Sequence, residues 1–175
     1  MTTHPHDSQR PILFVDVDGV LSLFGFASQE ELPGPFVWVD GIAHCIPAAT
    51  GPRLERLAET FELVWATGWE EKANEYIPRI LGLPFRGLPV LTFDGRAVFG
   101  SSHWKLEAID LYAEGRPAAW VDDNLDDACE AWAAGRAQPT LLVRTLPTTG
   151  LTEEHVVELE AWAGCAAIPP QTPER

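Results

Sequence analysis

The stretch "ILFVDVDGVL", residues 12–21, carries four apolar residues straight into two aspartates, Asp16 and Asp18, and then into Gly19. An uninterrupted apolar run of this kind is the pattern of a strand buried on both faces of a parallel sheet. Its end is unusual, because carboxylates at i and i+2 beside a buried strand repel each other. Asp and Gly are common in turns, so an ordinary strand exit accounts for the local pattern. A cation held between the carboxylates accounts for it equally well. A calcium loop of the EF-hand type also begins D-x-D, but it needs an oxygen ligand at its fifth position and glycine at its sixth. Val20 and Leu21 stand there, which excludes it.

Outward from this strand, strand and helix signals alternate, as in an α/β sheet covered by helices on both faces. "GPRLERLAETF" places Leu54, Leu57, Ala58 and Phe61 on one helical face, and "ELVWAT" reads as the second strand. "EEKANEYIPRILG" has helical spacing, with Pro78 expected to kink or split it. Asp94-Gly95 separates two apolar arms in "VLTFDGRAVF", a hairpin signal within residues 88–100. A helix around "HWKLEAIDLYAEG" leads to a strand at "AAWVD". "NLDDACEAWAAG" is a helix with Asn124 as the expected N-cap and Gly135 as its stop. "PTLLVRT" is a further strand, and the last helix starts at Thr152 with Val156, Leu159 and Ala163 inward.

The expected fold class is therefore α/β, a Rossmann-like three-layer α/β/α arrangement around a central parallel sheet, in one domain over residues 11–165. Residues 1–10 read as a disordered lead and 166–175 as a loose, proline-rich tail. The long connection 20–50, with "FVWVDGI" inside it, has room for a flap or minimal cap but not for a large cap domain.

Composition narrows the function. The formal charge of −14 argues against a broad electrostatic grip on nucleic acid or anionic membrane. No apolar run is long enough to cross a bilayer, and the first residues lack a secretory pattern. The three cysteines, Cys45, Cys129 and Cys165, are far apart and odd in number, as expected of free thiols in a reducing cytoplasm. Only two lysines occur, Lys72 and Lys105.

Chemistry in an open parallel sheet collects at the carboxyl ends of its strands. The first strand ends in Asp16-Val17-Asp18-Gly19, the second in Thr67-Gly68, and the strand near 120 in Asp122-Asp123. Lys105 precedes that last strand. Carboxylates suit a hard divalent cation, a hydroxyl with free amides suits phosphate oxygens, and a lysine offsets their charge.

These four segments, "DVDGV" at 16–20, "LVWATG" at 63–68, Lys105 and "WVDD" at 120–123, resemble in order and spacing the haloacid dehalogenase-like (HAD) superfamily of mostly magnesium-dependent phosphatases. The resemblance implies Asp16 as nucleophile, forming an aspartyl-phosphate, and Asp18 as general acid and base. It implies Mg²⁺ held by Asp16, the Asp18 carbonyl, Asp122 and Asp123, with Asp126 the rival of Asp123. Phosphate binding falls to Val17, Asp18, Thr67, Gly68 and Lys105. Dehalogenases of the superfamily lack an acid two residues after the nucleophile, so Asp18 points to hydrolysis of a phosphomonoester. Trp69, Trp104 and His103 are the candidate substrate-pocket residues, with core packing the simpler role for the tryptophans; His44 reads as a loop residue.

The shape also resembles the small HAD domain of bacterial RNA-repair proteins. The implied substrate is then either a small phosphomonoester or a phosphorylated macromolecule end, the polynucleotide option being opposed by the net charge. A non-catalytic HAD-fold binding module is the alternative from another class. It has no need of an acid/base beside a nucleophile.

Overall fold

The computed structural model describes residues 10–98 and 100–166. The expected lead lies outside the described residues except for Arg10, and the expected tail except for Ala166.

Four parallel strands form the central sheet in the order β4-β1-β5-β6, with β1 Ile12–Val15, β4 Glu62–Trp65, β5 Ala118–Asp122 and β6 Thr140–Arg144. Every residue of β1 and β5 is buried, which is why their sequences are continuously apolar up to Asp122 rather than alternating. Side chains alternate between faces, so each strand feeds two cores. Leu13, Val15, Leu63, Trp65 and Val121 pack with α1 (Thr50–Thr60), α2 (Glu71–Leu81) and α5 (Glu153–Ala166). Ile12, Phe14, Val64 and Trp120 pack on the other face with α3 (Leu106–Tyr112) and α4 (Asp127–Gly135). This is the expected three-layer α/β/α arrangement. No helix among the described residues is long and apolar enough to cross a membrane.

The connection after β1 contains a two-stranded antiparallel hairpin, β2 Phe36–Val39 and β3 Ile42–Cys45. Its turn is Asp40-Gly41, both at positive φ (49° and 81°), the backbone that a tight two-residue hairpin demands. Asp40 also anchors the hairpin to α2, accepting from the Lys72 ammonium and from Tyr76 Oη at 2.6 Å. Lys72 is thus committed to a surface contact.

The Asp94-Gly95 turn behaves differently from the expectation. It closes, with Arg96 N donating to Phe93 O at 3.0 Å, but its arms form no ladder among the described residues. The physical reason is competition. The first arm is taken by the sheet edge, where Trp65 N bonds Pro89 O and Leu91 N bonds Trp65 O. Phe93 is buried against Trp104, and its amide donates to Glu70 Oε1.

Two smaller expectations also change. Pro78 neither splits α2 nor ends it, because it lies in the last turn, buried, with Gly82 in the left-handed region closing the helix four residues on. The N-cap of α4 is Asp126, whose side chain accepts from the amides of Ala128 and Cys129, and not Asn124. Asn124 is drawn back to the strand end, its amide donating to Asp122 and its side chain to Asp123. Thr152 stands before α5 as expected, with its amide donating to His155 Nδ1 at 3.1 Å.

Candidate active site

β1 sits between β4 and β5, and the chain leaves it for β4 on one side and reaches β5 on the other. This switch point opens a crevice beyond the carboxyl ends of β1 and β5. Val15 and Val121 are register partners, and Asp16 N donates to Val121 O at 3.2 Å, so Asp16 and Asp122 emerge side by side. Pairing of parallel strands thus joins carboxylates that are over a hundred positions apart in the chain.

Lys105 lies between them. It belongs to a short 3₁₀ turn, His103–Lys105, that leads into α3. Its Nζ is 2.9 Å from Asp16 Oδ2 and 2.6 Å from Asp122 Oδ2, with the ring of Trp104 5.2 Å away. The lysine side chain is 2% exposed and that of Asp122 0%, so the charges meet with little solvent screening. Burial disfavours the ammonium, but the two aspartates outweigh it and hold the Lys105 pKa above its ordinary value. Asp122 also accepts from Ser102 Oγ and Asn124 N, the latter an Asx turn that fixes its carboxylate.

One ammonium does not balance this site. Asp16, Asp122 and Asp123 each offer a carboxylate oxygen, and those atoms lie within 4.8 Å of one another. Burial raises the Asp16 acid, and Asp122 raises it further against the pull of Lys105. Burial and the neighbouring Asp122 push Asp123 up to about 6. An all-oxygen, over-charged and partly desolvated set of this kind fits a hard divalent cation. Gly19 provides the space. A Cβ there would overlap the Asp123 carboxylate, and its φ of +71° is unfavourable to other residues. Asp126 is committed elsewhere, to the α4 cap and to Ser101 and His103.

Asp18 follows beyond the strand end. Its Oδ2 accepts from Trp69 Nε1 at 3.0 Å, and burial raises its pKa despite that bond. Thr67 is fully buried just past β4, with the Trp69 amide 3.3 Å from its Oγ1. Of the expected phosphate-binding amides, that of Val17 donates to Asp16 Oδ1 at 2.7 Å. The amides of Asp18 and Gly68 meet no acceptor among the described residues.

A cavity of about 660 Å³ opens over this set, lined among others by Asp16, Asp18, Gly68, Lys105 and Asp123, with Trp104 and Phe24 in its wall. Trp104 both lines the cavity and packs on Phe93 and the core. Trp69 lies behind Asp18 instead of in the wall, and His103 turns away, its Nδ1 3.0 Å from Asp126 Oδ2. His44, read as a loop residue, enters the cavity on β3, with Nδ1 2.9 Å from Ser22 Oγ and its ring edge-on to Trp69 at 4.8 Å. No local signal marks a lone histidine in a long connection. The Asp40-Gly41 turn was the available clue, since it makes the hairpin that delivers His44. Cys45, the next residue, is buried and its thiol pKa is raised by that burial, which makes it a poor nucleophile.

No curated protein matches the chain. Over residues 12–156, which hold every strand and each carboxylate of the site, it matches the family model described as the HAD domain in Swiss Army Knife RNA repair proteins. The parallel sheet with its acidic switch point, the lysine between Asp16 and Asp122, and this match together place the chain in that HAD family.

Proposed function

We propose that this protein is a Mg²⁺-dependent phosphohydrolase that cleaves a phosphomonoester through an aspartyl-phosphate on Asp16. The observation that carries the reading is the buried Lys105, clamped between Asp16 and Asp122 beside the further carboxylate of Asp123. A purely structural ion pair does not explain a third carboxylate, Asp123, gathered with the two that bridge Lys105 at the mouth of a cavity.

In this reading an Asp16 oxygen attacks phosphorus, the bond from phosphorus to the leaving oxygen breaks, and its electron pair stays on that oxygen. Asp18 supplies the proton that makes the leaving group an alcohol. Water then attacks the phosphoryl group, Asp18 takes the water proton, and the bond to Asp16 breaks to release phosphate. Lys105 opposes the effect of burial on the Asp16 acid, favouring the carboxylate, and orients it, while Thr67 and the Asp18 and Gly68 amides hold phosphoryl oxygens. Asp16, Asp122, Asp123 and the Asp18 carbonyl would hold Mg²⁺, which supplies charge neutralisation for the transferred group.

The family description favours a second reading of the substrate, a phosphorylated polynucleotide end, and Trp104 in the cavity wall offers a base a stacking surface. The charge of −14 opposes long-range attraction of a polyanion, so such binding would rest on contacts at the end itself. A non-catalytic binding module would leave Asp18 and its tryptophan bond without a purpose.

The test is hydrolysis of p-nitrophenyl phosphate, mononucleotides, sugar phosphates, phosphopeptides and 3′- or 5′-phosphorylated oligonucleotides, with Mg²⁺ or with EDTA. Turnover that EDTA and Asp16→Asn both abolish is expected. Equal inertness of wild type and Asp16→Asn across the whole panel would overturn the enzymatic reading.

A further inference from the structure

Asp18 and Trp69 are 51 positions apart, yet Trp69 Nε1 reaches Asp18 Oδ2 at 3.0 Å. An indole N–H is a donor and never an acceptor, so the carboxylate oxygen facing it must present a lone pair. Because the carbonyl oxygen of a carboxylic acid is the better acceptor, the bond favours a proton on Oδ1 over Oδ2. The bond thus orients the carboxyl and biases which oxygen carries the transferable proton.

The tryptophan is itself held. Its amide lies 3.3 Å from Thr67 Oγ1, which places it directly after β4. Its ring packs on the core side of the site and meets the His44 ring edge-on at 4.8 Å. His44 is pinned in turn at Nδ1 by the buried Ser22 hydroxyl, 2.9 Å away. Asp40, at the tip of the same hairpin, is bonded to Lys72 and Tyr76 of α2. The hairpin is therefore fastened at both its tip and its base, and His44 presses on the tryptophan from between.

We propose that Trp69 is the positioning residue of the acid/base: its indole N–H aims the Asp18 proton at the leaving oxygen, and His44 braces it from the hairpin. The inference rests on the phosphohydrolase reading and adds a residue that the reaction scheme does not require. A donor that orients a general acid affects the step in which the leaving group needs a proton. Its loss therefore depends on the leaving group, being large for an alkyl phosphate and small for p-nitrophenyl phosphate, whose phenolate leaves without full protonation. Substrate affinity, set by the phosphoryl contacts, stays nearly constant.

The experiment uses Trp69→Phe, which keeps an aromatic ring but removes the indole N–H together with its five-membered ring, with His44→Ala as a second variant. Expected are a fall in kcat of at least tenfold on an alkyl phosphate, less than threefold on p-nitrophenyl phosphate, and a KM within twofold on both. His44→Ala shows the same pattern more weakly. Independently of turnover, the Trp69 indole N–H proton resonance, assigned by its loss in Trp69→Phe, moves upfield in Asp18→Ala.

A loss in Trp69→Phe that is equal for both leaving groups, or confined to KM, overturns the inference. So does an indole resonance that Asp18→Ala leaves in place. If wild type hydrolyses neither substrate while the indole resonance shifts as expected, the enzymatic reading falls; the bond survives but its catalytic role does not.

Discussion

Replacing Lys105 with methionine removes the only ammonium that bridges Asp16 and Asp122 among the described residues while keeping a straight side chain of similar length. The lysine side chain is 2% exposed, that of Asp122 0% and that of Asp16 10%, so solvent does not replace the lost charge. Removing one partner of a buried ion pair costs about 3–5 kcal/mol. The cost has a ceiling, because a stranded carboxylate can take up a proton. From an unfolded pKa of about 3.9 that takes about 4 kcal/mol at pH 7. A loss of about 3–4 kcal/mol in urea unfolding with EDTA is therefore expected, equivalent to roughly 6–16 °C in Tm for a chain of this size.

Burial already raises the wild-type Asp16 acid to about 7 against the pull of Lys105. Without that pull it rises further, so the folded variant keeps a proton that the wild type releases, and the deficit grows as the pH rises through about 7. Mg²⁺ should restore part of the loss, since a cation held by the same carboxylates stabilises only the folded state. A loss below about 1 kcal/mol at pH 7, or a deficit that does not grow as the pH rises through and above 7, would refute a buried ammonium packed between Asp16 and Asp122.

Gly19→Ala places a Cβ on the Asp123 carboxylate at a φ of +71°, and should cost about 1–3 kcal/mol in denaturant unfolding while weakening Mg²⁺-dependent stabilisation. Asn74 accepts from the buried Trp65 indole at 2.9 Å and donates to Leu88 O, so Asn74→Ala strands both and should destabilise by about 1–3 kcal/mol with the site's chemistry intact. The Asp126 carboxyl is held well below the usual range, first by the Ser101 hydroxyl and then by His103 and the α4 amides. Its contribution is present above about pH 4 and is lost as the pH falls through the folded value. Asp126→Ala should cost about 1 kcal/mol at pH 7, and its gap to wild type should close in acid unfolding curves below about pH 3.

Sequence patterns reached the layers because those patterns are local. A strand buried on both faces must be largely apolar, as β1 is throughout and β5 is up to Asp122; helices packed on a sheet must repeat near 3.6 residues, as α1 does with Leu54 and Leu57. The site residues were legible for a related reason. Asp16, Thr67 and Asp122 each stand at or just past the end of an apolar run, and a parallel sheet gathers such ends on one edge.

Local turn chemistry was less decisive. Three Asp-Gly pairs stand in the chain; the one at 18–19 belongs to the site, and those at 40–41 and 94–95 share a positive-φ backbone. The one at 40–41 closes a hairpin, and the one at 94–95 does not, because the sheet edge and Glu70 compete for its first arm. Asn124 and Asp126 are similarly interchangeable as helix caps until Asp122 and Asp123 engage Asn124.

The sequence by itself thus determined an α/β sheet, which strand ends carry carboxylates, and that one of two lysines stands near them. Only the tertiary structure decided that Lys105 bridges Asp16 and Asp122, that Asp123 completes the cluster while Asp126 caps a helix, and that "ILFVDVDGVL" exits toward an indole donor. The physical reason is range. Propensity and periodicity act over a few residues, whereas Trp69 meets Asp18, and His44 meets Ser22, only after the strands have paired and the hairpin has docked.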